Sequence, residues 1–112
     1  VKEMRELLKM IAGSDDTLPV GAGDLYVTVY GGRTRLVGIL LGEGLSIDEA
    51  LERLKGVTLE SLVIARRVNA GLLRRYAPRT LAEKFPLLAH VAKLIAGEQA
   101  PIPWEKFTAD TF

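Results

Sequence analysis

The chain has 112 residues, 48% apolar and 26% charged, with fifteen basic against fourteen acidic side chains and a formal charge of +1. That is the size and composition of one globular domain, and its near-neutral charge leaves no electrostatic footprint for a nucleic acid or an anionic membrane. The lack of cysteine excludes disulfides and thiol chemistry, the single His90 cannot form a metal cluster alone, and no apolar run reaches the roughly 18 residues of a membrane span.

The first segment, VKEMRELLKMIAG, carries Met4, Leu7, Leu8 and Ile11 at i, i+3, i+4 and i+7, one face of a helix that Gly13 should close. It begins with neither an initiator methionine nor a capping residue. We therefore expect a C-terminal piece of a longer, cytoplasmic protein.

Residues 24–30, DLYVTVY, alternate and are rich in β-branched and aromatic side chains, so propensity alone reads them as a strand. A lone strand has no ladder, and nothing else in the chain supplies a convincing partner. The expectation is therefore a helix over 24–30, with Asp24 a suitable N-cap.

Thr34 to Leu41 predicts a short helix ended by GEG. Ser46 and Glu49 then form a capping box for a helix through Leu54, with Ile47, Ala50, Leu51 and Leu54 on one face. A further helix is expected from about Leu59 to Arg75, with Leu62, Ala65, Val68 and Leu72 inward, ended by Tyr76 and Pro78. TLAE at 80–83 resembles a second capping box, Pro86 suits the first position of the next helix, and Gly97 closes it. Trp104 and Phe107 in the tail are expected to seal the core. The fold class is all-α: a single helical bundle of five or six helices with one glycine-rich interruption.

That interruption carries the chemistry. Gly31 and Gly32, then Arg33, then Thr34 at a helix start can bring backbone N–H groups, a helix dipole and a guanidinium fork to one phosphate. The alternative is a glycine turn into a helix with two solvated arginines. Asp24 lies between apolar Ala22, Leu25 and Val27 and reads as a semi-buried carboxylate that needs a partner. It either caps the helix or orients a basic group from outside this chain, and Thr28 shares its face. Tyr30 is placed under the glycine loop. His90 reads as a packing or surface residue. The basic runs at 65–67 and 72–79, with Glu60 and Glu83 nearby, read as a solvated face, or else as an interface or a cofactor-phosphate contact.

The same residues carry a resemblance. GAGDLYVTVYGGRTR resembles the G-x-(G/A)-D-L-x-x-T-x-Y-G-G-R-N-R segment of NAD-dependent glycerol-3-phosphate dehydrogenases. LLGEGLSIDEAL, EKFPLLAHVAKLIAGE and EMRELLKMIAG are similar to that family's neighbouring helices, in order along nearly the whole chain. The resemblance implies a helical substrate-binding domain of the 6-phosphogluconate-dehydrogenase C-terminal type. An N-terminal Rossmann domain for NAD or NADP, and a catalytic lysine, would lie outside this chain. It further implies that Asp24 partners that lysine, that Thr28 lines the pocket for glycerol 3-phosphate or dihydroxyacetone phosphate, and that Gly32, Arg33 and Thr34 hold the substrate phosphate. Glu60 is a cofactor contact on the same grounds. Thr34 departs from the family's asparagine: its hydroxyl and N–H still donate, but the amide is lost. GAGDL itself is not the G-x-G-x-x-G of a dinucleotide-binding turn.

Homodimerisation and the choice between NAD and NADP stay open. A second reading, a non-catalytic interaction or dimerisation module of the same fold, is supported by Thr34 and by the missing N-terminal half. The joint presence of Asp24, Thr28 and Arg33 opposes it.

Overall fold

A computed structural model describes residues 1–111. Among them the chain forms seven α-helices and a 3-10 turn, with no strand. Helix α1 (Lys2–Ala12) ends on Gly13, whose φ of 79° is the left-handed conformation that glycine adopts without penalty. α2 (Leu18–Gly31) contains the whole of DLYVTVY, so tertiary context overrides β-propensity as expected. α3 (Arg33–Gly42) follows after one residue.

α4 (Ile47–Arg53) opens on the expected capping box. Glu49 N donates to Ser46 Oγ at 3.2 Å, and Ser46 N donates to Glu49 Oε2 at 2.8 Å. The backbone N–H of Ser46 foremost, and then its hydroxyl, hold the Glu49 carboxyl below its ordinary range. α5 (Glu60–Leu73), α6 (Pro78–Lys84) and α7 (Pro86–Ile95) complete the bundle, and the turn Trp104–Lys106 lies in the tail.

The core has two centres. Val37, Ile47, Leu62 and Ile95 form one, joined by Leu41, Leu51, Leu54, Leu59, Ala65 and Val91. Leu72, Leu81 and Phe85 form the other, joined by Leu7, Met10, Val68, Tyr76 and Leu88. Leu62 and Leu72 belong to different centres and lie ten positions apart on α5. At 1.5 Å per residue, that helix is a strut of about 15 Å between them.

Several sequence expectations need correction. Thr80 lies inside α6, whose N-cap is Ala77, so TLAE is no capping box: Pro78 starts the helix two residues earlier. Trp104 is 66% exposed and meets Phe107 edge to face at 5.9 Å, so it does not seal the core. Ile11 projects from the apolar face of α1 into solvent. Asp24 is mid-helix and exposed, because α2 begins six residues earlier behind Thr17.

The first helix is tied to the last by a carboxylate. Glu3, buried on α1, accepts from Leu87 N at 2.6 Å and Leu88 N at 2.9 Å, two first-turn amides of α7. Pro86 has no N–H to offer at that end, so the two amides that need an acceptor both find one. The helix dipole adds to the attraction. No helix among the described residues is long and apolar enough to cross a membrane.

Removing that acceptor leaves two amides unpaired in a partly buried place. Glu3→Ala should cost on the order of 1–3 kcal/mol, and Glu3→Gln, which keeps one oxygen, distinctly less. Urea unfolding midpoints measure both. Equal midpoints for wild type and Glu3→Ala would show that the cap contributes nothing.

Candidate functional site

The glycine-rich segment is not a loop. α2 ends at Gly31 and α3 starts at Arg33, leaving Gly32 alone at the bend with φ −68° and ψ 142°. Any residue can adopt those angles, so conformation does not demand glycine here; space does. Gly32 N donates to Thr28 O at 2.6 Å. A Cβ at position 32 would lie 2.7 Å from both that oxygen and Thr28 Cγ2. The neighbouring Gly31 faces open space.

The bend folds α2 and α3 around an open groove of about 500 Å³, walled by Leu25, Val29 and Ile39. Thr28, Gly32 and Thr34 line it, and so does Arg35. Arg33 stands outside the groove, exposed at the first position of α3. Arg35 is therefore a candidate that sequence reasoning passed over. Its signal was the second arginine two residues on, which the sequence reading gave no role of its own.

Thr34 does not cap α3, because the N-cap is Gly32. Its hydroxyl is instead hydrogen-bonded to the hydroxyl of Ser61, in the first turn of α5. This bond brings Glu60, the exposed first residue of α5, beside the glycine–arginine bend. Neither N-cap, Gly32 or Leu59, offers a side-chain acceptor to the leading amides of its helix. Two electropositive helix ends thus converge.

The structure joins Thr28 to Gly32 and Thr34 to the Glu60–Ser61 turn. It does not join Asp24 to Arg33: no hydrogen bond or ion pair within 4 Å connects them among the described residues. Asp24 is a solvent-facing carboxylate, not the semi-buried one that its apolar neighbours suggested. Of those neighbours Leu25 and Val27 are themselves exposed, and Ala22 is half-buried. Val20, Leu25, Tyr26, Val27, Val29 and Tyr30 are each 47–75% accessible. Tyr30 does not pack under the bend; it meets Tyr26 edge to face at 6.0 Å on the outer surface.

Helix α2 is apolar on nearly every side, the pattern of a helix enclosed by protein. The accessible area agrees. The chain exposes 7787 Å², where a compact monomer of 12.2 kDa exposes about 6,100 Å². The surplus of roughly 1,700 Å² exceeds the ~800 Å² per partner of an ordinary interface.

His90 sits buried on α7, away from the bend. Burial, assisted by the Lys93 charge, holds its imidazole below the ordinary value of 6.5. Among the described residues no cluster of histidine and carboxylate side chains gathers to hold a metal ion.

A family model described as "NAD-dependent glycerol-3-phosphate dehydrogenase C-terminus" matches residues 1–104. The "NADP(+)-dependent glycerol-3-phosphate dehydrogenase" of Archaeoglobus fulgidus is 47% identical over 57 residues, 49% of this chain and 17% of the relative. The "Glycerol-3-phosphate dehydrogenase [NAD(P)+]" of Acidobacterium capsulatum is 31% identical over 106 residues, 91% of this chain and 30% of the relative. The chain thus spans less than a third of either relative's length. No solved structure matches it.

Two outcomes follow from this geometry. Gly32→Ala must push backbone away from backbone and should lower unfolding stability by roughly 1–3 kcal/mol, while Gly31→Ala, in open space, should be neutral or slightly stabilising. Thermal melts of the two variants compare them directly, and equal losses would refute the close-approach argument. His90 binds its proton more weakly folded than unfolded, so the unfolded chain gains protons as pH falls below about 6.5 and stability drops with it. His90→Gln should flatten the stability profile between roughly pH 5 and 7. An unchanged slope would remove the buried imidazole as its source.

Proposed function

The chain belongs to the family of NAD-dependent glycerol-3-phosphate dehydrogenase C-termini, and from that premise we propose that it is the substrate-binding part of an oxidoreductase. The complete enzyme would interconvert sn-glycerol 3-phosphate and dihydroxyacetone phosphate with NAD or NADP. The observation that carries this reading is the one-residue bend at Gly32. It presents Arg33, the uncapped amides of α3 and the Thr34 hydroxyl together at a helix N-terminus, which suits a phosphate.

Each residue then has a part. Arg33 supplies a fork of charged donors for the phosphate. Thr28, held against Gly32, lines the groove where the three-carbon chain would lie. Asp24, exposed and one turn before Thr28 on α2, is available to hold a lysine from the N-terminal portion of the enzyme. That lysine would move the proton at the substrate's C2 oxygen. The cofactor, when bound, supplies or accepts the hydride.

Within this chain Gly21 and Gly23 lie inside α2 rather than at a strand-to-helix turn, so no dinucleotide-binding turn is present among the described residues. Cofactor binding is assigned to an N-terminal Rossmann domain, with Glu60 as a contact from this side. The exposed apolar side chains of α2 support such a partner. On this reading the chain alone folds but reduces no NAD.

Arg33→Ala in the complete enzyme tests the assignment. Charge-assisted hydrogen bonds contribute about 1.5–3 kcal/mol, so catalytic efficiency on dihydroxyacetone phosphate should fall roughly 10- to 150-fold. Part of the loss should appear as weaker binding. Arg33→Lys should restore only some of it, since a point charge cannot reproduce the fork. Dihydroxyacetone lacks the phosphate, and activity toward it should be far less affected. Equal impairment on both substrates would leave Arg33 a structural residue and sink the phosphate assignment.

A further inference from the structure

We propose that Ser61 is a positioning residue for the substrate phosphate, acting through Thr34, and that it ties the phosphate end of the site to the cofactor-side turn of α5. This rests on the phosphate assignment of Arg33 and Thr34 and adds a residue that no sequence pattern singled out.

The argument begins with what a threonine hydroxyl can do at the second position of a helix. It has one donor hydrogen and two acceptor lone pairs, and its rotor turns to suit its surroundings. Left alone, it divides its time among rotamers, and only some of them aim the hydrogen at a ligand beyond the helix end. Ser61 removes that freedom. The two hydroxyls are hydrogen-bonded across 27 residues of sequence. When Ser61 donates, the Thr34 oxygen is occupied as acceptor and its own hydrogen is freed for an anion. A hydroxyl that accepts one hydrogen bond is also polarised into a better donor.

The pair is itself held from below. Val37, one turn after Thr34, and Leu62, next to Ser61, are both buried in the same core centre. The first turns of α3 and α5 therefore approach each other on a packed base, and the hydroxyl bond closes the top. Glu60 and Arg33 immediately precede the two bonded residues. Whatever fixes Thr34 relative to Ser61 also fixes the phosphate end relative to the cofactor-side turn.

An asparagine at position 34 would need no such help, since its amide reaches further and carries its own two donors. The threonine needs a second hydroxyl to hold its donor in place, and Ser61 supplies it. The two residues work as a unit.

Kinetics on the complete enzyme, with dihydroxyacetone phosphate and dihydroxyacetone as paired substrates, test this. Ser61→Ala should raise KM for the phosphorylated substrate on the order of 2- to 12-fold, the range of one neutral hydrogen bond. It should leave kcat nearly unchanged and have no effect with dihydroxyacetone. Ser61→Thr, which keeps a hydroxyl, should restore the original KM. In a Thr34→Asn background, adding Ser61→Ala should cost nothing further, because the amide no longer depends on the serine.

A merely structural serine would instead affect both substrates alike, lower the thermal midpoint, and add its loss in full on the asparagine background. Any of these results overturns the proposal. If Arg33→Ala separates the two substrates while Ser61→Ala does not, the positioning role alone is lost. If Arg33→Ala does not separate them, the phosphate assignment falls and this proposal falls with it.

Discussion

The buried carboxylate of Glu3 is the contact on which the order of the molecule turns. It bonds two amides at the start of α7, more than eighty residues away, and so fixes the first helix against the last before anything between them is considered. Leu7 and Met10, further along α1, reach the second core centre and make the same junction apolar. Arg5 and Lys9 add ion pairs to Asp15 at 3.4 and 3.7 Å, which steady the turn into α2. Those pairs are partly exposed and contribute little energy by themselves. Their effect is to direct where α2 leaves.

Direction matters because α2 has little else to hold it. It touches the rest of the chain mainly through α1 at one end and α3 at the other, with Leu18 its one buried residue. Gly21 packs closely on Met4, where a Cβ would sit 3.0 Å from the sulfur. Gly32 packs on Thr28 at the opposite end. Between these two close approaches the helix shows apolar side chains to water on most faces. This helix carries Asp24 and Thr28, so the exposed apolar surface and the residues proposed for chemistry are one element. The chain spans under a third of its relatives' length, and the N-terminal portion that we propose would meet this helix.

The legibility of the sequence follows the range of the forces involved. Gly13, the Ser46–Glu49 box and Pro86 were readable because each acts within one turn of its own position. The inward faces of α4 and α5 were readable because a 3.6-residue period survives in any context. Residues 24–30 came out as helix only through an argument about the whole chain, that a strand would have no neighbour. Asp24 was misjudged because apolar neighbours normally imply burial, and here Leu25 and Val27 are exposed. Trp104 was misjudged by the same assumption. The Glu3 cap, the Thr34–Ser61 bond and the Gly32–Thr28 contact differ in their range. The first two join residues distant in sequence that no periodicity relates. The third depends on the angle between two helices. Arg35 was missed because nothing in the pattern RTR says which arginine turns toward the groove.

The residues proposed for function avoid the core and yet are set by it. Arg33 and Thr34 open α3, and Glu60 and Ser61 open α5, all four exposed. One turn or less further along, Val37 and Leu62 are buried together with Ile47 and Ile95. A displacement of either helix would have to open that packed centre, and interiors of ordinary density resist such movement. The two helix ends therefore keep their separation without paired charges between them. That leaves the guanidinium of Arg33 and the first two amides of α3 uncommitted to any intramolecular acceptor shown for them, while the third, Arg35 N, donates to Gly32 O at 3.1 Å. Stability is carried by buried side chains one turn below the surface, and the polar groups above them are the ones we propose for a ligand. The arrangement explains how Thr34, exposed at the second position of α3, can differ from the asparagine that the resemblance implies without disturbing the fold. On our proposal the cost of that difference falls on the geometry of a single donor, and the hydroxyl of Ser61, bonded to that of Thr34, is the group that corrects it.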